Sequence, residues 1–382
     1  MKVLKFILKV IASIVCFALL LISTLYLFTK IYNFPEFEPF SGEALYNPYV
    51  EIESIKPLKS NFHAHTAAWG GITDGTDSNE EVVAGYAAYN YDIIGISNYH
   101  SIDEYLKDSD RIYISNYEHG YNIFKSHKLG LNADKVSFLD YPLFQLPSHK
   151  QHILEILNKN GATPIIAHPK FVNGHTFHDL SLLVNYSLIE VLNHYRISDE
   201  YWDAALSAGH PVFVNGSDDT HGIHREATFE RWTMVFSPDK EVDSILDAMT
   251  SGKAYGVDSK PREQDIFFIK SEVIENGFRH HFDVAAPLIK VIGQGGKLLK
   301  EIKDSSFIEY TFQPEDTYAR VFVDGIKSDL YINPVLRYDG KSVPSNYVDN
   351  LSINQAMTWL FRLAAALVVL LALFLLLKVL RW

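Results

Sequence analysis

Two apolar runs, one near each end, constrain this chain more than any other feature. Val10 to Thr29 is interrupted only by Ser13, Ser23 and Thr24 before its terminal Thr29. About 20 residues rising ~1.5 Å each just cross a hydrocarbon core. Lys2, Lys5 and Lys9 precede the run, and Lys30 alone follows before Glu36 and Glu38, so the N-terminus is expected in the cytoplasm. No Ala-x-Ala-like site follows it, which favours an uncleaved anchor over a removed signal peptide. The second run, Leu363 to Leu377, is extended by Met357 to Phe361. Arg362 and Lys378 can reach opposite interfaces, and Trp359 and Trp382 suit interfacial belts. Lys378 and Arg381 place this end in the cytoplasm too. The expected layout is cytoplasmic tails at 1–9 and 379–382 and transmembrane helices at 10–29 and 357–378. The lipid bilayer is then the partner of both helices, and everything between them lies outside the cytoplasm.

That intervening chain has ample material for a core, since 47% of all residues are hydrophobic. A net charge of −12 argues against a general nucleic-acid surface, which needs clustered Lys and Arg. The single cysteine, Cys16, lies in the first apolar run, so disulfides contribute nothing. Residues 30–58 read as an extended lead-in rich in Pro and aromatics. From 59 to 260 short apolar strands alternate with amphipathic helices. Tyr91 to Ser97, Ala162 to Ala167, Leu188 to Leu192 and Pro211 to Asn215 are the clearest strands. Glu80 to Asn90, His149 to Asn160 and Asp199 to Ala208 are the clearest helices, with Gly161 and Gly209 as stop signals. Such alternation predicts an α/β domain of parallel strands with helices outside, an open sheet or a barrel. From 261 to 350 short strands follow one another without helices, which predicts a small β-sandwich.

Histidine is the anomaly of composition: fourteen of sixteen fall between His63 and His224. His63 and His65 sit two apart in a strand-like run, so both point to one face and can meet a metal. Other potential ligands follow the later strands. Asn98, Tyr99 and His100 follow the second, and Glu118 and then His127 follow Arg111 to Ile114. His168, Asn193, and the group Asp218, Asp219 and His221 follow the next three. Sites in α/β barrels are built where strand ends converge. Any one of these residues is more often a surface or packing residue than a ligand. Recurrence at strand after strand is what singles them out.

Together these pieces resemble the PHP (polymerase and histidinol phosphatase) superfamily. They are Phe62-His-Ala-His-Thr66, Asp74-Gly75, Glu118, Ile166-Ala-His-Pro169 and Ser217-Asp-Asp-Thr-His221, spread over residues 60 to 256. The resemblance implies a distorted (β/α)7 barrel with two or three divalent transition metal ions (Zn, Mn or Fe). It implies that His63 and His65 bind one ion with Asp219, that Glu118 bridges two, and that His168 and His221 complete the other sites. His127 and Asp74 transfer as further ligands. Glu118, Asp219 and His221 are the implied catalytic residues. The β-rich region, with Tyr318-Ala-Arg-Val and Asn333-Pro334, resembles a domain often appended to extracytoplasmic members. One motif departs: the usual Thr-Asp-His is here Ser97-Asn98-Tyr99-His100. An Asn amide is a poor substitute for a carboxylate, and His100 would serve as a ligand only across a one-residue bulge.

The expected function is metal-dependent hydrolysis of a phosphate ester on a small molecule, with Lys170 and Arg225 as candidate contacts to the substrate phosphate. Two rivals stand beside it. The altered second motif favours a binding or scaffold protein with a partial metal site, and a non-phosphate substrate remains open because fold does not fix chemistry.

Overall fold

Phe62 and its neighbours must be buried while the histidines beside them converge, and the strand pairing shows how this is met. The structure, a computed structural model, describes residues 2–73 and 75–381. In chain order its helices are α1 (Lys2–Leu25), α2 (Asn79–Ala88), α3 (Pro147–Lys159), α4 (Phe177–Leu180), α5 (Asp199–Ser207), α6 (Val242–Thr250) and α7 (Gln355–Arg381). The first strands are β1 (Ala44–Tyr46), β2 (Leu58–Asn61), β3 (Ile93–Ile94), β4 (Glu118–His119), β5 (Lys128–Leu131), β6 (Thr163–Ile166), β7 (Leu188–Leu192) and β8 (Phe213–Gly216). They are followed by β9 (Arg231–Val235), β10 (Ala254–Asp258), β11 (Phe268–Ile274), β12 (Gly277–Gly293), β13 (Lys297–Thr311), β14 (Tyr318–Asp324) and β15 (Asp329–Tyr338).

The result is a mixed α/β fold of two sheets. One runs β4-β5-β6-β7-β8; the other runs β11-β12-β14-β15-β10-β9-β2-β3, with β1 on β15 and β13 on β12. Single bridges tie them together on both sides: Ile93 to Ile112 and Tyr99 to Glu118 on one, Ala64 to Thr220 on the other. The helices expected in the α/β region are present within a residue or two of their anticipated ends. Ser78 begins α2 with a reciprocal capping box to Glu81, which satisfies two otherwise unpaired amides.

Two expectations change. The strands are not all parallel, because β5 runs antiparallel to both β4 and β6, and no helix separates β3 from β4 or β4 from β5. Among the described residues the strand pairs that run parallel are β2–β3, β6–β7 and β7–β8. The β-rich region, moreover, starts no sheet of its own: β15 pairs with β10 along Tyr255–Ile332 to Asp258–Asp329, so β11 to β15 prolong the sheet that begins at β3. Its strands are also longer than expected, with β12 and β13 forming an extended hairpin around Gln294–Gly296.

Polar staples hold the β-rich region to the rest. The Asn333 carbonyl oxygen accepts from the Val214 amide at 2.8 Å, and its amino group donates to the carbonyls of Gly252 and Ala254. The Tyr49 hydroxyl donates to the Ala254 carbonyl and accepts from the Asn333 amide, which puts the lead-in between the same strands. Arg320 reaches Asp203 on α5 through two bonds of 2.7 Å, and Tyr318 donates to the same carboxylate at 3.0 Å.

Helices α1 and α7 are each long and apolar enough to cross a membrane. They lie antiparallel: Lys9 Nζ donates to the Leu380 carbonyl at one end, and Arg362 Nε donates to the Thr29 carbonyl at the other. The start of α1 and the end of α7 thus lie at one end of the hairpin.

Arg320 and Asp203 are buried, so truncating one strands the other as an uncompensated charge. Arg320→Ala should lower the stability of the full chain by ~3–5 kcal/mol, seen as a lower urea midpoint in detergent; an unchanged midpoint would show that the clamp contributes nothing.

Candidate metal centre

The centre begins just past β2. His65 donates its amide to Thr220 and Asp219 donates its amide to His63, so the His63–His65 segment and the Asp219–Thr220 segment run side by side. Glu118 opens β4 and takes its place through the bridge to Tyr99. His127 lies just before β5, and His168 just after β6. Two of these residues adopt left-handed backbone, His168 at φ 27° and Asp219 at φ 51°. Strain of that kind persists where surrounding structure fixes it, and it concentrates at functional sites. Gly120 (φ 139°) is required next to them, because a Cβ there would lie 2.5 Å from the His127 ring.

Glu118 is fully buried and its two oxygens face different groups. Oε2 lies 3.3 Å from His63 Nε2 and 3.1 Å from His65 Nε2; Asp219 Oδ1 lies 3.1 and 3.3 Å from the same two nitrogens. Oε1 meets His127 Nδ1, and His168 Nε2 at 3.2 Å. Two ligand sets thus share one carboxylate: His63, His65, Glu118 and Asp219, and Glu118, His127 and His168. In each, the ligand atoms lie within 4.8 Å of one another.

Charge follows this geometry. Burial alone would push the Glu118 carboxyl up, but the imidazoles of His127 and His63 outweigh it and hold it well below the usual carboxylate range. Asp219 is likewise held low against its burial, by His63 and His65. Burial would lower His63, yet Asp219, Glu190 and Glu118 raise it well above its ordinary value; His65 and His168 are also raised by nearby carboxylates. His127 goes the other way, because burial prevails over Glu118.

Several donor atoms find no hydrogen-bond partner despite complete burial. They include His63 Nε2, His65 Nε2, Glu118 Oε2 and Asp219 Oδ1, all pointing at one another without hydrogen-bond alignment. Leaving such atoms unpaired is costly, and a divalent cation among them would satisfy all four. Imidazole and carboxylate donors suit Zn, Mn or Fe. The residues present fit a metal.

Glu190 completes the centre from behind, and sequence reasoning missed it. It sits in the middle of β7, flanked by Leu188, Ile189, Val191 and Leu192, all buried. Its Oε1 is 3.0 Å from His63 Nδ1, and its Oε2 accepts from the His168 amide at 2.8 Å and from Asn193 at 2.9 Å. A carboxylate behind a ligand histidine fixes its tautomer and orientation. The available signal was the acid itself, standing alone in an otherwise wholly apolar strand.

The remaining candidates are placed as follows. His221 stacks on His65 with ring centres 4.3 Å apart, and its Nε2 is 3.5 Å from Asp219. With Arg225, His194 and Tyr195 it lines a cleft of about 20 Å³ at the mouth, room for one water. Asn98 accepts from the Thr66 amide and donates to the Thr66 hydroxyl, so it ties the His65 segment in place instead of facing the ligands. His100 has both nitrogens engaged, by the Ser137 carbonyl at 2.8 Å and the Gly120 amide at 3.1 Å. Between them the Tyr99 ring stacks on His65 at 4.7 Å and meets His127 edge-on at 5.6 Å. Lys170 pairs with Glu200 at 2.8 Å, where both are substantially exposed. Asp74 lies outside the described residues.

A crystal structure of a two-domain protein containing a predicted PHP-like metal-dependent phosphoesterase, from Bacteroides vulgatus, is similar to this chain with a TM-score of 0.40 at 14% identity. The likeness covers 82% of this chain and 92% of that one. At that score it is too loose to carry residues across. No protein-family model matches the chain, and no curated protein does.

Two outcomes follow from the geometry. Glu190→Gln keeps the shape but weakens the hold on His63, so metal affinity measured by titration should fall ~10–100-fold; equal affinity would remove Glu190 from the centre. The raised pKa values of His63, His65 and His168 mean that a metal must displace protons. In the metal-free chain the histidinium–carboxylate contacts stabilise most below pH ~6.5 and are lost as pH rises through the raised values. The share of metal-free stability owed to these contacts, read as the melting-temperature difference between wild type and the His63→Ala, His65→Ala variant, should therefore shrink as pH rises above about 6.5, while stabilisation by added Mn or Zn grows. Metal stabilisation that weakens with rising pH would contradict the assignment.

Proposed function

We propose that this chain is a metal-dependent phosphoesterase, anchored in a membrane by α1 and α7 and working outside the cytoplasm. The observation that carries the reading is Glu118, a buried carboxylate whose two oxygens serve two separate histidine groups. Bridging carboxylates of this kind hold paired ions in hydrolases of phosphate esters. The seam bridges Tyr99–Glu118 and Ala64–Thr220 support reading the strands around the centre as a distorted (β/α)7 barrel of the PHP kind, with β5 reversed. Sidedness rests on Lys2, Lys5 and Lys9 in the first turns of α1 and on Lys378 and Arg381 in the last turn of α7.

Bound divalent ions would supply a water ionised near neutral pH and positive charge for the phosphoryl oxygens. His63, His65 and Asp219 would hold one, His127 and His168 the other, with Glu118 common to both. Glu190 keeps His63 and the His168 loop in register, and Asn193 ties Glu190 to Asp219 by donating to both, at 2.9 and 3.3 Å. His221, beside Asp219, would pass a proton to the departing alcohol oxygen. Arg225, which lines the cleft next to His221, would contact a phosphate bound outside that cleft. The substrate is a phosphorylated small molecule.

Purified full chain loaded with Mn or Zn should hold about two ions per chain and hydrolyse a generic phosphomonoester. His63→Ala with His65→Ala should abolish metal at the first site and turnover together. A chain that takes up no transition metal would overturn the proposal. Bound metal without turnover across Mn, Zn and Fe would favour a binding or scaffold role, with Tyr99 in the second motif as its structural cause.

A further inference from the structure

The loops around the mouth of the centre carry apolar side chains into solvent. Trp69 and Ile72 follow His65; Ile123 and Phe124 precede His127; Phe138 packs beside His100; Val172 follows His168. Ile72 is 89% exposed, Ile123 61% and Phe138 60%. Val172 also holds φ at 51°, a strained value for a β-branched residue. Single exposed apolar residues are ordinary on a soluble surface, but Trp69, Phe138, Ile123 and Phe124 are joined into one rim by the contacts that follow.

Contacts trace that rim from the centre to the apolar helices. Trp69 donates to the carbonyl of Tyr99, whose ring covers His65. Trp69 meets Phe138 edge-on at 6.5 Å, and the Phe138 carbonyl accepts from the Tyr121 hydroxyl at 3.0 Å. Two residues on, the Ile123 amide donates to Pro142. Next come Leu143 and Phe144, whose amides both donate to the Tyr26 hydroxyl, which in turn donates to the Phe144 carbonyl. Tyr26 is the first residue beyond α1.

The direction of α3 shows which end of the body this is. Its start meets the chain leaving α1, with His149 at Thr29 and Ser148 at Tyr32. Helix α3 then runs away from that point, and β6 returns to end beside His168. The end of the body from which the helices leave is therefore the end that holds the centre. An apolar cavity of about 290 Å³ lies where they meet, walled by Ser23, Leu143, Phe144, Phe361, Ala365 and Val368. Lys125, exposed beside Phe124 at the loop tip, stands where a lysine can reach lipid headgroups.

We propose that the rim seats the mouth of the metal centre on the surface of the bilayer that holds α1 and α7, and that the phosphate ester hydrolysed there is carried by a membrane lipid. This rests on the membrane-anchored phosphoesterase reading and names its substrate class. Water oxygen bonds to phosphorus, the bond from phosphorus to the lipid alkoxy oxygen breaks, and that oxygen takes a proton. The products are inorganic phosphate and a lipid alcohol that stays in the bilayer. Apolar insertion supplies the attraction, since a net charge of −12 gives the chain none for an anionic surface.

The test uses the full chain, metal-loaded, in lipid nanodiscs, with phosphatidate in the disc and p-nitrophenyl phosphate in solution as parallel substrates. Ile123→Ser with Phe124→Ser should slow phosphate release from phosphatidate ~10-fold or more, by removing buried apolar surface, and leave the soluble ester unaffected. A fluorophore on Ile123→Cys in a Cys16→Ser background should be quenched by brominated lipid. The same label on Lys159→Cys, at the far end of α3 and so ~18 Å from the start of that helix, should not. Hydrolysis of the soluble ester alone, with an unquenched label at 123, would overturn the inference and leave the phosphoesterase reading intact. Hydrolysis of neither ester would overturn that reading and the lipid substrate with it, while the quenching result would still decide where the rim sits. An unquenched label that instead cross-links to a second copy would assign the rim to a protein interface and overturn the proposal.

Discussion

A carboxylate with no exposure to water is the interaction on which the site depends. Burying an ionised group costs several kcal/mol unless partners replace its solvation. Glu118 has imidazoles on both oxygens and no water-facing side. Those partners come from the ends of β2, β5 and β6, so three connections must stop at the right residue for the charge to be tolerated. The left-handed backbone of His168 and Asp219 is a cost of the same arrangement. The hydrogen bonds of Glu190 and Asn193 hold both residues where they are.

The β-rich region acts on the centre through the shared sheet. Thr233 on β9 lies between β2 and β8: its hydroxyl accepts from the Gly216 amide, and Ser60 of β2 is its register partner. Strand β10 continues from β9 into β15, where Asn333 reaches back to the amide of Val214. The strands that present His63 and Asp219 are thus backed by pairing that extends to β15. A region expected as a separate sandwich is in this way a buttress of the site.

Much of this was legible in the sequence, for a definite reason. His168 follows the apolar Pro164 to Ala167 and Asp219 comes after Val212 to Val214, so both announce themselves as polar breaks, while His63 and His65 do so by their spacing and Glu118 by its place in the order of strand ends. Glu190 did not, since its neighbours made the segment read only as a buried strand. Asn98 and His100 stand at a motif that departs from the usual Thr-Asp-His, and what they do instead was not legible, because their partners, Thr66, Ser137 and Gly120, are tertiary and leave no trace in local pattern. The reversal of β5 was hidden because Lys128-Leu-Gly-Leu131 is too short and uniform to carry direction. The continuity of the large sheet depends on pairs such as Tyr255 with Ile332, which no local periodicity encodes.

Next to the apolar hairpin the Tyr26 hydroxyl grips Leu143 and Phe144, and the loop it holds is continuous with Ile123 and Phe124 through the Ile123–Pro142 hydrogen bond. The apolar helix pair and the candidate centre are thus mechanically coupled. The proposed chemistry depends on Glu118 joining two ions through its separate oxygens. Electron paramagnetic resonance of the Mn-loaded full chain tests this most directly. Two ions bridged by Glu118 should give the spectrum of an exchange-coupled pair, converted by Glu118→Gln to that of isolated Mn. A wild-type spectrum of isolated Mn at full loading would contradict it.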